Sequence, residues 1–279
     1  MLKFPLGFLW GSATAAYQVE GGNDRSDWWR WEKSAGKENS GEACRHYELY
    51  ELDFELAKGL HHNAHRISVE WSRVEPEEGK FSEAALRHYA EVIRALRARG
   101  IEPVVTLHHF TNPVWFADLG GWTDKRSIGY FLRFAGRVVR ALAPHVRFWI
   151  TINEPTIYFS HAYMLGVWPP QERSFWKGIR VKDHLSEAHV RVYRMIHRLY
   201  RDLGLSKPSV SISQHMQAFV PCGSGIRNKW AASLRHKWFN LELIEKFVRS
   251  RALDFIGLNY YSCQRVETKN WGLRSLLTD

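Results

Sequence analysis

Phe148-Trp149-Ile150-Thr151-Ile152-Asn153-Glu154-Pro155 reads as a short apolar strand that ends in an amide, a carboxyl and a proline. Proline disfavours helix at the residue before it and cannot donate to a strand ladder. Glu154 is therefore fixed at a strand end, in an extended or turn conformation. A carboxyl there points into the space that the strand tops enclose, and in parallel α/β proteins ligands bind in that space. A solvated glutamate in an ordinary strand-to-loop turn has the same local pattern, so the surrounding chain has to decide.

On either side, apolar strands alternate with helices of 3.6-residue period. Phe8 to Ala13 is expected as a first strand, leading into Tyr17-Gln18-Val19-Glu20-Gly21-Gly22. Ser26 to Trp31 reads as irregular and Trp-rich. His46 to Leu60 has helical spacing, and Ala64 to Val69 is a second strand. Ser82 is a good N-cap for a helix that Gly100 stops. Ile101 to Leu107 is almost wholly apolar, as a strand buried on both faces should be. Ile128 to Leu142 is an amphipathic helix, Asp183 caps another running to Leu203, and Trp230 to Val248 is a third. Ser209 to Ser213 and Asp254 to Tyr260 complete the strands. This alternation implies a parallel sheet and a single domain over residues 1–279. Gln18, Glu70, His109, Glu154 and Tyr261 all fall just after strands, the pattern of the functional face of a (β/α)8 TIM barrel.

Composition narrows the function classes. Hydrophobic residues make up 45% and charged residues 24%, which is globular composition. Aromatic residues at 14%, with 13 Trp, suit stacking on flat ligands, including the apolar faces of sugar rings, although a heavily aromatic core accounts for most of them. The formal net charge of +10 permits polyanion binding. However, Arg191, Arg194, Arg198 and Arg201 read as the solvated outer face of a helix, so neither nucleic acid nor membrane is expected as a partner. Cys44, Cys222 and Cys263 form no disulfide framework, which fits a reducing, cytoplasmic location. Met1 to Gly7 lacks the apolar region of a signal peptide, and no run is long enough to span a membrane. His61, His62 and His65 lack a carboxylate or Cys partner at metal spacing. Gly223-Ser224-Gly225 lacks the third glycine of a dinucleotide fingerprint. No metal or organic cofactor is expected.

In order along the chain, Phe8-Leu9-Trp10-Gly11, Tyr17-Gln18-Val19-Glu20-Gly21, Arg66-Ile67-Ser68-Val69-Glu70-Trp71-Ser72-Arg73, Thr106-Leu107-His108-His109-Phe110, Gly120-Gly121-Trp122, Thr151-Ile152-Asn153-Glu154-Pro155 and Phe255-Ile256-Gly257-Leu258-Asn259-Tyr260-Tyr261 resemble glycoside hydrolase family 1, the β-glucosidase and β-glycosidase family. The resemblance implies a retaining β-glycosidase acting on small β-glycosides. It casts Glu154 as general acid/base, Asn153 as the amide that holds the sugar 2-hydroxyl, and Gln18 and His109 as ligands of the glycone hydroxyls. Arg66 and Tyr261 would orient and charge-balance a nucleophilic carboxylate. The residue types suit those tasks, since amide and imidazole groups bind sugar hydroxyls and a carboxyl can protonate a leaving oxygen.

Two departures stand out. Phe110 and Thr111 occupy positions where the family has Trp-Asp. The nucleophile motif Thr-Glu-Asn-Gly and the late Trp-rich segment are not found. A further βα unit needs about 30 residues, and too few follow Tyr260 for two of them. About six of eight βα units are therefore expected here, with the nucleophile outside the chain; Glu20 and Glu70 match family positions that are not the nucleophile. The reading that follows is a retaining β-glycosidase whose nucleophile lies outside this sequence, either a truncated form or one piece of a split enzyme completed by a complementing chain or by homo-oligomerisation. Its rivals are a non-hydrolytic sugar-binding relative and, on charge alone, a basic surface-binding protein.

Overall fold

The computed structural model describes residues 3–269. Met1 and Leu2 of the N-terminal stretch, and the last ten residues of the chain, lie outside the described residues. Six strands run parallel in strict sequence order: β1 (Gly11–Ala13), β2 (Ala64–Ser68), β3 (Glu102–His108), β4 (Phe148–Asn153), β5 (Ser209–Pro221) and β6 (Gly257–Val266). The main helices are α1 (Asp27–Ser34), α2 (His46–Gly59), α3 (Glu83–Ala98), α4 (Ser127–Leu142), α5 (Phe175–Asp202), α6 (Ile226–Arg235) and α7 (Glu242–Arg249). Each neighbouring strand pair is joined through at least one of them, as a parallel crossover requires. Among the described residues β1 pairs only with β2, and β6 only with β5, so the sheet is an open arc.

The core lies between the sheet and its helices. Val105 and Leu107 of β3 are fully buried, as are Phe131, Phe134, Val138 and Leu142 on one face of α4. Trp71 stacks on Phe134 at 5.0 Å between centroids and donates its indole N–H to Glu75 at 2.9 Å. Ser82 caps α3 by accepting from the Ala85 N–H at 3.1 Å, as its sequence position predicts.

Several element bounds differ from expectation, among them β6, which starts at Gly257 rather than Asp254 and runs on to Val266, and the last helical stretch, which starts at Ile226 rather than Trp230; the following four have a local reason. Ser26 to Trp31 is not irregular: Ser26 caps α1 by accepting from Trp29 N–H at 3.2 Å. The helix at Asp183 begins earlier, at Phe175 with Ser174 as its cap. Gly178 lets that first turn lie against Met164, since a Cβ there would sit 2.4 Å from the Met164 Cγ. β5 continues to Pro221 because β6 supplies a partner as far as Val266. β1 is reduced to three residues, because Phe8, Leu9 and Trp10 stay outside the ladder and exposed.

Truncating Phe134 to Ala removes a fully buried ring from the Trp71 stack. It should cost about 3–5 kcal/mol, read from the urea midpoint. A cost well under 1 kcal/mol would show that this stack is not part of the cooperative core.

Candidate active site at the strand tops

The polar side chains gather at the C-terminal ends of the strands. The β4–β5 register shifts between Ile150 and Asn153, and such irregularities re-aim the residues that follow. Glu154 then adopts φ 45° and ψ 58°, the left-handed region that non-glycine residues rarely enter. Its N–H still donates to the Ser213 carbonyl at 2.6 Å, so it stays tied to β5 while the chain turns. Pro155 starts the next short helix, at the position where a missing N–H costs nothing. The expectation of a turn at Glu154 is met by this left-handed residue.

Arg66 reaches up from β2 and spans the arc. Its Nε donates to Thr106 Oγ1 at 2.8 Å, its Nη2 to Asn153 Oδ1 at 2.6 Å and its Nη1 to Ser213 Oγ at 3.4 Å. Burial lowers the guanidinium pKa to about 10, partly offset by the Glu154 carboxylate, so Arg66 remains a cation at neutral pH. The Asn153 amide contacts His109 Nε2 at 3.3 Å. Burial, reinforced by the Arg66 charge, holds the His109 imidazolium well below its ordinary pKa. His109 is thus a neutral ring, and its Nδ1 has no partner among the described residues.

The Glu154 carboxyl is buried, with 6% of the residue exposed. Asn259 of β6 donates to its Oε1 at 2.5 Å, and Ser213 Oγ donates to Asn259 Oδ1 at 2.6 Å. His215 of β5 lies 3.8 Å away from Oε2, and the Tyr261 ring packs 5.2 Å from His215. Tyr261 is largely exposed, yet loss of solvation and then the Glu154 charge raise its phenol pKa. Five of the six expected residues, Arg66, His109, Asn153, Glu154 and Tyr261, therefore meet in one constellation. Gln18 sits in a single helical turn above β1, exposed, with no hydrogen bond to the others among the described residues.

Four further residues, Thr106, Ser213, His215 and Asn259, belong to the same array and were not singled out by the sequence reading. Ser213 and His215 did carry a signal: they continue the period-two polar series Ser209, Ser211, Ser213, His215 along β5, so their side chains share one face. An aromatic wall flanks the group, with Phe110 4.8 Å from Trp168 and Trp168 5.3 Å from Trp28. Phe110 thus keeps a stacking role, while Thr111 donates to Glu70 Oε2 at 2.8 Å.

The other buried carboxylates lie in structural networks. Glu20 accepts from Arg73 Nε at 2.9 Å and from the Tyr89 hydroxyl at 2.9 Å. Glu70 accepts from Ser72 and Thr111. Asp27 accepts from the Asn112 backbone N–H at 2.9 Å and its Nδ2 at 2.8 Å. Among the described residues, no group of three or more His, Cys, Asp or Glu side chains could hold a metal ion.

Against known proteins, the model of glycosyl hydrolase family 1 matches residues 1–250. The chain belongs to glycosyl hydrolase family 1. Beta-glucosidase A of Thermotoga maritima is 29% identical over 93% of this chain and 66% of its own length. The cytosolic beta-glucosidase of Homo sapiens is 33% identical over 88% of the chain and 55% of its own. Among solved structures, a beta-glycosidase from Pyrococcus horikoshii matches with TM-score 0.86 and 36% identity, covering 97% of this chain and 65% of that one. The family 1 enzyme of T. maritima in complex with isofagomine lactam matches with TM-score 0.88 and 27% identity, over 96% of this chain and 68% of that one. The chain thus spans about two thirds of the length of most of these relatives. Its arc of six strands corresponds to part of a TIM barrel.

Asp27 offers a test of the burial that shapes this face. Desolvation lifts its pKa from 3.8 to about 7. A carboxyl raised in the folded state contributes stability that is full below the unfolded pKa and lost as pH rises through the folded one. Between about pH 4 and about pH 7, the urea midpoint of Asp27→Asn should therefore shift steadily in the variant's favour relative to the parent. A pH-independent gap would show that the Asp27 carboxyl titrates normally.

Proposed function

We propose that this chain forms the acid/base half of a retaining β-glycosidase acting on β-glucosides or related small β-glycosides. The observation that carries the reading is the Glu154 carboxyl, buried at a strand top and hydrogen-bonded to Asn259, beside the Arg66–Asn153–His109 array. In this reading Glu154 protonates the departing glycosidic oxygen and then takes a proton from the attacking water. Asn153 holds the sugar 2-hydroxyl. Neutral His109 and Gln18 bind other glycone hydroxyls. Arg66 and Tyr261 steady a nucleophilic carboxylate about 5 Å from Glu154, the separation that retaining chemistry requires.

That nucleophile comes, in this reading, from polypeptide other than residues 3–269. Among those residues no carboxylate apart from Glu154 reaches Arg66 or Tyr261. Residues 1–279 then belong to one catalytic-type barrel domain and carry six of its eight βα units, the rest being supplied by further polypeptide, which a complementing chain or a second copy could provide. The open edges support this. Phe8, Leu9 and Trp10 beside β1, and Ile256, Leu258 and Tyr260 around β6, are each more than 40% exposed. Unpaired edges with apolar flanks invite pairing with another chain. A non-hydrolytic sugar-binding protein is the second reading, favoured by the same lack of a second carboxylate. Three free cysteines support a cytoplasmic location, and among the described residues no helix is long and apolar enough to cross a membrane. No metal, organic cofactor, nucleic acid or membrane takes part.

The direct test is an aryl β-glucoside assay on the purified chain, with its mass measured by light scattering. Little or no turnover is expected from the chain alone, with activity appearing in the completed assembly. A monodisperse monomer with full turnover would overturn the split-site reading. In the active form, Glu154→Gln should lower hydrolysis by about 10²–10⁴-fold for poor leaving groups, and by less for acidic phenols. Equal losses across leaving groups would remove Glu154 from the acid role. Dialysis against chelator should leave activity unchanged; loss restored by a divalent ion would refute the cofactor-free mechanism.

A further inference from the structure

A cavity of about 530 Å³ opens between α1, the turn at Gly120–Gly121 and the segment 169–172. None of its lining residues belongs to the strand-top array. Its volume falls in the range of small-ligand sites, about 300–1,000 Å³. Asp27, Arg30 and Trp31 present one helical face of α1 to it, and Phe116, Gln171 and Lys177 line it from other elements. An aromatic wall separates it from the catalytic side. Trp31 packs 5.4 Å from Trp28, which packs on Trp168, and Trp168 packs on Phe110, the neighbour of His109.

We propose that this cavity is a second saccharide site, distinct from the strand-top pocket. Its chemistry selects a neutral polyhydroxylated ligand. Asp27 is buried, accepts hydrogen bonds from the Asn112 backbone N–H and side-chain amide and from the Trp28 backbone N–H, and has no cation paired with it among the described residues. Its two oxygens keep lone pairs for further donors, and in the protonated form that burial favours the carboxyl also donates. Sugar hydroxyls both donate and accept, so they match either form. The cations around the cavity are already matched: Arg30 pairs with Asp118 at 2.6 Å and Lys177 with Glu172 at 2.6 Å. Among the described residues lining the cavity, no unpaired cation therefore draws an anion there. Trp31, half-buried at the cavity, adds flat apolar surface for the C–H face of a sugar ring. Trp31 is braced by Lys37, whose Nζ lies 4.9 Å from its ring centroid. This inference does not rest on hydrolysis, because none of the groups it uses takes part in the proposed reaction.

The test is calorimetric titration of the full chain carrying Glu154→Gln, which prevents turnover, with cellotetraose and with methyl β-glucoside. Trp31→Ala should weaken cellotetraose binding at least about tenfold. Ser34→Trp should do the same by placing an indole at the cavity rim, and its exposed position keeps the test valid should Trp31→Ala fail to fold. Neither change should affect methyl β-glucoside, and saturating methyl β-glucoside should not displace the cellotetraose. Unchanged cellotetraose affinity in the folded variants would overturn the proposal. So would displacement by methyl β-glucoside, or no cellotetraose binding up to about 10 mM. Trp31-dependent cellotetraose binding without methyl β-glucoside binding would support the cavity and count against the glycosidase reading.

Discussion

The strand-top array depends on how one half-buried cation is satisfied. Taking a guanidinium out of water costs several kcal/mol unless its donors are matched. Arg66 meets that demand with acceptors from three other strands: Thr106 on β3, Asn153 on β4 and Ser213 on β5. A single side chain from β2 thus sets the lateral spacing of four strand ends. It also orients Asn153, whose Oδ1 is taken by Arg66 and whose amide group is left toward His109. His109 can approach this cation only as a neutral ring, which is the state its burial favours. The same network runs on through Ser213 and Asn259 to Glu154, so the Glu154 carboxyl is held by a chain of contacts that starts at Arg66.

Much of this was legible in the residues. β3 reads as a buried strand because nearly every position from Ile101 to Leu107 is apolar. Pro155 marks the end of β4, because proline punctuates strands and helices alike. Asn153, Glu154 and His109 stand where apolar runs stop, and in a parallel sheet those stops share one face, whereas Arg66 lies inside β2 and was singled out by the family resemblance. What stayed hidden had physical causes. In α1 the indoles at positions 28, 29 and 31 do not fall on one stripe, so the periodicity vanished although the Ser26 cap was present. In α5 the exposed Phe175 and Trp176, followed by Gly178, concealed the first turns. The long β5 could not be read locally, since its upper half exists only because β6 pairs with it. Gln18 was correctly placed above a strand, but its side chain joins none of the hydrogen bonds that tie the others together.

The departures from the family pattern also have a physical account. With threonine at 111 in place of an acidic residue, the position supplies a hydroxyl donor, and that donor satisfies the buried Glu70. Glu70 and Thr111 form a complementary acceptor–donor pair, whereas two carboxylates at this distance would repel each other and raise one pKa sharply. Phe110, also in the left-handed region at φ 72°, keeps its ring against Trp168 without an indole N–H to satisfy.

Glu154 concentrates the strain of the site. A non-glycine residue in the left-handed region costs on the order of 1–3 kcal/mol and persists only where the surroundings over-determine it. Here they do so from both sides: the backbone N–H is held by Ser213, and Pro155 commits the following residues to a helix. The register shift in β4 supplies the extra length that lets the chain turn without breaking the ladder. An ordinary strand end would leave the carboxyl free to rotate into solvent. This one turns the carboxyl beneath the Asn259 amide, where 6% of the residue remains exposed, with His215 of β5 beside it. The placement of this carboxyl therefore depends on the β5–β6 pairing at the open side of the arc, and whatever pairs with β6 also acts on Glu154.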